Sequence, residues 1–376
     1  MPETEAVQRG LEDVVALESR ICFIDGRQGR LIYRGYDIRE LAEHSSFEEV
    51  AYLMWYGRLP TRAQLAELQN LLVSLRVLPK PVVELIERIP PESNPMEVLR
   101  TVVSAMALSE PGETKPGASS ISGALRLTAA LPTILGQFHR RRAHLPPLAP
   151  RPDLSHAGYL LYALLNREGT ELEVRALDVA LILHADHELN ASTFAARITA
   201  STLSDLYSAI TSAIGTLKGP LHGGANEQVM KLLDEIGTVD RVEAITQAKL
   251  AKHERIMGFG HRVYKVEDPR ATILRRWSHK VGEAKQDLHY YDLLVRLQEV
   301  VHREKNLYPN VDLFSGSIYT QLGIPHDLFT PIFAVSRITG WTAHVLEEYD
   351  DLRLIRPKAR YVGPTDLTYT EIGTRS

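Results

Sequence analysis

Histidine, glycine and charge come together in short segments where a purely structural helix has no need of them. In IMGFGHRVYKVEDPR, Ile256 to Arg270, Gly258 and Gly260 flank Phe259, His261 follows at once, and Lys265, Asp268 and Arg270 come close behind. Glycines there let main-chain amides approach a ligand. His261 can face a small dianion, and the planar fork of Arg270 suits a carboxylate. Gly-x-Gly alone is a weak sign, and here it follows a helical run, so it is no dinucleotide fingerprint; a tight helix–helix turn is the structural alternative. In GPLHGGANE, His222 stands just before a helix start placed near Ala225. A histidine beside a helix N-terminus holds its proton less tightly, and a neutral imidazole can donate to a developing oxyanion. A glycine-flanked helix end with a structural histidine explains the same residues.

Two further segments add acid and base. In YPNVDLFSG, Asp312 lies between a proline loop and an apolar helix start, as either an N-cap or a general base. HADHELNAS puts His184 and His187 on what reads as one helical face, near Asp186, Asn190 and Ser192. His-x-x-His suggests a metal, but the H-E-x-x-H spacing and a third ligand are missing, so no metal is expected. Arg337 in the helical FAVSRITG and Arg356 in LIRPKARYVG join Arg270 as candidate anion binders. An arginine in an apolar helix is costly unless it meets an anion; the alternative is ion pairing with some of the chain's 47 acidic residues.

The elements that must position these residues read as mainly α. ICFIDGRQGRLIYRG predicts a small hairpin around Asp25-Gly26 and Gly29. Ser46 to Glu49 and Thr61 to Gln64 are capping boxes opening amphipathic runs. Leu65, Leu68, Leu72 and Leu75 return on one face, with Glu67 and Arg76 off it, and Val229, Leu232, Leu233 and Ile236 repeat the pattern. Helical periodicity continues through 96–108, 153–166, 172–187, 193–217, 225–237, 240–256, 269–304 and 328–348. HRRRAHLPPLAPRP, His139 to Pro152, reads as the clearest loop. No repeat of fixed period is visible, which argues against a solenoid.

Composition limits the function. A net charge of −4 argues against non-specific nucleic-acid binding. The one cysteine, Cys22, excludes a disulfide framework within the chain. The opening MPETEAVQRG has no basic region leading into an apolar run, and no apolar stretch approaches the ~18 residues of a membrane span. A soluble, cytoplasmic protein is expected.

Taken together, the segments resemble the citrate synthase family, in the order RICFIDGRQGRLIYRGYDI, HADHELNAST, GPLHGGANE, GFGHRVYKVEDPR, PNVDLFSG and RPKARYVG. The compact length is similar to the shorter bacterial and archaeal dimeric type. The resemblance implies an all-α fold with a large domain over 1–223 and 324–376 and a small one over 224–323. It implies condensation of acetyl-CoA with oxaloacetate, then hydrolysis to citrate and CoA, with no cofactor beyond coenzyme A as substrate and product. His222, His261 and Asp312 would be the catalytic trio; His187, Arg270 and Arg337 would bind oxaloacetate; Arg356 would reach the other subunit's site in a homodimer. CoA phosphates require nearby cations, for which Arg262, Lys265 and Lys305 are candidates, with Arg140 to Arg142 reaching across the dimer. The competing readings are a 2-methylcitrate synthase using propionyl-CoA, a non-catalytic relative that binds CoA and a dicarboxylate, and a metalloenzyme built on His184 and His187.

Overall fold

The computed structural model describes residues 7–11, 14–109 and 121–375; the acidic opening, residues 1–6, lies outside them. The expected hairpin is present. Strands β1 (Cys22–Asp25) and β2 (Arg30–Tyr33) pair antiparallel from Cys22↔Tyr33 to Asp25↔Arg30. Asp25 closes the turn by accepting the Arg27 and Gln28 amides, each at 2.9 Å. A two-residue strand that the sequence reading lacks, β3 (Tyr36–Asp37), extends the sheet.

Everything else regular among the described residues is helical. The first half comprises α1 (Ile38–His44), α2 (Phe47–Tyr56), α3 (Arg62–Ser74), α4 (Lys80–Arg88), α5 (Pro95–Met106), α6 (Ile121–Arg142), α7 (His156–Leu165) and α8 (Glu171–His184). Then come α9 (Ala191–Ala200), α10 (Leu206–Leu217), α11 (Ala225–Ile236), α12 (Val242–Ala251), α13 (Pro269–Lys285), α14 (His289–Lys305), α15 (Val311–Gln321) and α16 (Phe329–Asp350). Both expected capping boxes form, and Thr170 with Glu173 makes a third at the start of α8. The apolar stripe of α11 is buried as its spacing requires. Leu68 and Leu72 are buried in α3, but Arg76 lies beyond the helix end and is itself buried, donating to the carbonyls of Arg151 and Leu154.

Several boundaries differ from the periodicity. The run 193–217 is two helices, because Leu203 takes a left-handed φ of 62° and Asp205 caps a fresh start through the Ser208 amide. The run 269–304 is also two, because Gln286 takes a φ of 56° and the Asp287 amide closes back on Gly282 O at 2.9 Å. α8 ends at His184, so His187 lies past the helix and does not share a helical face with it. α12 covers only part of 240–256. α6 carries the arginine triplet to its last residue, so the expected loop begins after Arg142.

α16 is the structural axis. Every residue from Phe329 to Val345 is buried, the pattern of a helix enclosed on all sides. Its close approach to the end of α8 depends on Gly340, whose amide donates to Ala185 O at 3.1 Å and whose Cα leaves no room for a Cβ beside that oxygen. Arg197 of α9 ties to the far end of α16 through Glu348 at 2.7 Å and Glu347 at 2.8 Å. α8 is joined to α13 by Glu173, which accepts from Arg167 and from Lys285, each at 2.7 Å. Among the described residues no helix is long and apolar enough to cross a membrane.

Gly340→Ala is expected to cost about 2 kcal/mol or more, because the new methyl must push α16 from the α8 corner; the shift in urea midpoint measures it.

Candidate active site

Two loops far apart in sequence are paired along their backbones, and this brings His261 toward Asp312. The Gly260 amide donates to Tyr308 O and the Asn310 amide to Gly258 O, both at 2.9 Å. Phe259 and Pro309 form a β-bridge, and Asn310 Nδ2 reaches Gly260 O at 3.1 Å. Gly258 and Gly260 have φ values of 87° and 75°, a region that disfavours residues with a Cβ. The sequence alternative of Asp312 as N-cap is overturned: Asn310 caps α15 by accepting the Asp312 amide at 3.0 Å. The Asp312 carboxyl is thereby left for other work, and its Oδ1 is buried without a partner.

Main-chain groups orient both histidines. His261 Nδ1 accepts the amides of Val263 at 3.0 Å and Tyr264 at 3.2 Å. With Nδ1 an acceptor, the neutral ring carries its proton on Nε2. His222 precedes the start of α11 as expected, and its Nε2 faces the Ser192 amide at 3.3 Å and Ser192 Oγ at 2.8 Å. An amide can only donate, so Nε2 accepts and Nδ1 carries the proton. Trp341 holds Ser192 from below, its Nε1 donating to Oγ at 3.1 Å. Asn190 caps α9, its Oδ1 accepting the amides of Ser192 and Thr193, each at 3.2 Å.

His187 stacks edge-on against His261 with ring centroids 5.0 Å apart, and Tyr264 lies 4.7 Å from His261. Its Nε2 is buried and unpartnered. Arg270 forks onto Asp268 through Nε at 3.0 Å and Nη2 at 2.7 Å, so the internal-pairing alternative is part of its role. Arg337 donates from Nε to His184 O at 2.6 Å and lies 4.6 Å over the Phe333 ring. Both guanidinium groups are buried.

Burial and these two cations set the protonation states. His222 is pushed down to about 4 by loss of water and then by Arg337. His261 is pushed down to about 4 by loss of water and then by Arg270. His187 is held well below its ordinary value by burial, Arg270, His261 and Arg337. Burial drives Asp312 up to about 7, against the opposing pull of Arg270. Near neutral pH these residues therefore comprise three uncharged imidazoles, two guanidinium cations and one carboxyl group close to its midpoint. Such a set can hold a dianion, take a proton from carbon and donate to an oxygen on which charge develops.

Other expected residues fall elsewhere. His184 is a core residue behind the pocket: its Nδ1 bonds Ala180 O at 2.7 Å and its ring meets Phe333 edge-on. No group of three or more His, Cys, Asp or Glu among the described residues is arranged for a metal. The arginine triplet is not a free basic loop. Arg140 is 2% exposed and spent on the carbonyls of Ala163, Tyr162 and Pro146, Arg141 on those of Ile86 and Ile89, and Arg142 on Asp327. Arg262, Lys265 and Lys305 are exposed on or just before the paired loops. Arg356 is exposed on the extended segment after α16. Sequence reasoning assigned no role to Tyr264, Asn310 or Trp341. Trp341 follows Arg337 by four positions, a helical spacing that could have flagged it.

The family model described as citrate synthase, C-terminal domain, matches residues 10–358. Citrate synthase 2 of Bacillus subtilis is 49% identical over 98% of this chain and 99% of its own. The citrate synthase of Haloferax volcanii is 47% identical with the same coverage. A 2-methylcitrate synthase of Shewanella oneidensis is also similar, 42% identical over 97% of each chain. The solved citrate synthase of Thermoplasma acidophilum, in ternary complex with carboxymethyl coenzyme A and oxaloacetate, superposes with a TM-score of 0.93 at 38% identity, covering 99% of this chain and 100% of that one. These similarities define an acyltransferase of the Claisen-condensation type. The chain belongs to the citrate synthase family.

The Asp312 carboxyl has a linked effect on stability. Its folded value lies above the ordinary value of 3.8, so between about pH 4 and pH 7 the native state keeps a proton that the unfolded state has lost. Its contribution is therefore increasingly destabilising as pH rises through that window and constant above it. Asp312→Asn is expected to gain stability relative to the parent from pH 4 to pH 7 and to hold a constant advantage at pH 8, read from urea midpoints across pH.

Proposed function

We propose that the protein is a citrate synthase, condensing acetyl-CoA with oxaloacetate and hydrolysing citryl-CoA to citrate and CoA. The observation that carries this reading is the buried Asp312 carboxyl, near its midpoint at neutral pH, in a pocket with neutral imidazoles of assigned donor face. Oxaloacetate is held by Arg270, Arg337 and the unpartnered Nε2 of His187. Asp312 removes a proton from the acetyl methyl, while His222 Nδ1–H donates to the thioester oxygen that takes the charge. The new carbanion attacks the oxaloacetate ketone, and His261 Nε2–H supplies the proton for its oxygen. Water then cleaves the citryl thioester. The arginines neutralise both carboxylates and fix the reacting face, so positioning supplies much of the rate. No metal or further cofactor takes part.

The reading extends to assembly. Residues 224–323 act as a small domain that closes on the rest, carrying His261 and Asp312 toward His222 and excluding water until the substrates are in place. Arg356 reaches the partner's pocket in a homodimer, which suits its exposed position on an extended segment. Arg262, Lys265 and Lys305 meet the CoA phosphates, and the enzyme works in the cytoplasm. The second reading, a 2-methylcitrate synthase, is favoured by the similarity to the Shewanella oneidensis protein. One additional methylene discriminates by only about 1–3 kcal/mol, so both activities can coexist in one pocket.

CoA thiol release with oxaloacetate should be strong with acetyl-CoA, weaker with propionyl-CoA, and about 100-fold or more lower in Asp312→Asn. A preference for propionyl-CoA keeps the mechanism and selects the second reading; no release with either thioester leaves the non-catalytic binding relative. Below about pH 7 kcat/KM should fall tenfold per pH unit as Asp312 takes up its proton. His222 and His261, both near 4, should add no second step between pH 5 and 7.

A further inference from the structure

The turn between β1 and β2 lies far from His261 in sequence and touches the segment that orients it. Gly26 O accepts the Lys265 amide at 2.8 Å. The Gly26 Cα lies so close to Val263 that a Cβ would overlap the Val263 carbonyl. Gly29 approaches the next residues, where a Cβ would lie 3.0 Å from Val266 Cγ2 and 3.2 Å from Glu267 O. The turn is held from its own side by Asp25, and Arg39 of α1 donates to Gly29 O at 3.0 Å. Thus Val263, Tyr264 and Lys265 are fixed by the turn on one side, while the amides of Val263 and Tyr264 point at His261 Nδ1 on the other.

We propose that the Gly26 turn is a positioning element for His261, holding the 263–265 backbone so that two amides keep Nδ1 an acceptor and the proton on Nε2. This role rests on the proposed function, in which His261 acts at the substrate ketone. Gly26 touches no substrate; it acts through the loop. Without the turn the amides swing away from Nδ1 and the ring loses its preference between tautomers. Gly26 tolerates no side chain because a Cβ would overlap the Val263 carbonyl, which belongs to the same three-residue segment.

Three measurements on the full-length protein test this. In the parent, the Lys265 amide sits on an exposed residue and should nevertheless exchange slowly with deuterium, because Gly26 O covers it. In Gly26→Ala that protection should disappear. Nitrogen-15 spectra of the histidine rings, with His261 assigned by His261→Gln, should change from one Nε2–H tautomer to a mixture. CoA release should fall by about 10- to 100-fold, chiefly in kcat. Gly35→Ala is the control: Gly35 has a φ of 94° at the next turn of the sheet with nothing within 4 Å of a Cβ, so it strains the sheet without touching the loop and should leave the His261 tautomer unchanged. A Lys265 amide that exchanges freely in the parent overturns the proposal, as does an unchanged His261 tautomer in Gly26→Ala or an equal change in Gly35→Ala. If Gly26→Ala does not fold, exchange in the parent decides alone. If the parent releases no CoA, the proposed function fails, while the exchange and ring spectra still decide whether the turn holds His261.

Discussion

Removing a carboxyl group from water beside two guanidinium cations without letting it become their salt-bridge partner is the constraint around which this molecule is built. A free Asp312 carboxylate next to Arg270 or Arg337 would form an ion pair and lose its basicity. The structure avoids this by giving Arg270 its own acid, Asp268, and by turning Arg337 toward the His184 carbonyl and the Phe333 ring. Asp312 is kept in place by its backbone, which Asn310 caps, so that its side chain is not used in capping. Burial, with the cations adding to it, keeps three imidazoles neutral.

The helices serve that arrangement at two scales. α16, enclosed along most of its length, delivers Arg337 and Trp341 from a single rigid element, and Gly340 lets it approach the end of α8 closely enough for Arg337 to meet His184 O. His261 follows a loop and Asp312 stands in the first turn of α15 just after another, and these loops have partners: 258–260 and 308–310 pair almost as a fragment of sheet. Precision therefore comes from helix packing on one side of the pocket and from backbone pairing on the other.

Much of this was legible in the sequence. Local chemistry was clear where a residue type has one structural meaning: Asp25-Gly26 as a turn, Ser46 with Glu49 as a cap, the spacing of Val229, Leu232, Leu233 and Ile236 as a buried stripe. The motif segments were legible because glycine and histidine together are rare inside helices. The helix breaks near Leu203 and Gln286 were hidden, because neither residue type signals a left-handed conformation and the apolar period continues across both. Asp312 and Asn310 could each have been the cap, since both side chains perform it and only the path of the chain chooses between them. The arginine triplet read as a basic loop because its acceptors, mostly carbonyls of distant segments, leave no trace in local sequence. The hold of Trp341 on Ser192 spans 149 positions and is a product of the fold alone.

The orientation of the two imidazoles depends on main-chain amides of opposite assignment: His261 is gripped at Nδ1 and His222 at Nε2. The pattern of protons on the two rings is thus inherited in large part from chain geometry, with the Ser192 hydroxyl adding a side-chain contact at His222. A one-residue insertion or deletion in either loop would replace one amide by the next and rewrite which nitrogen is free to donate.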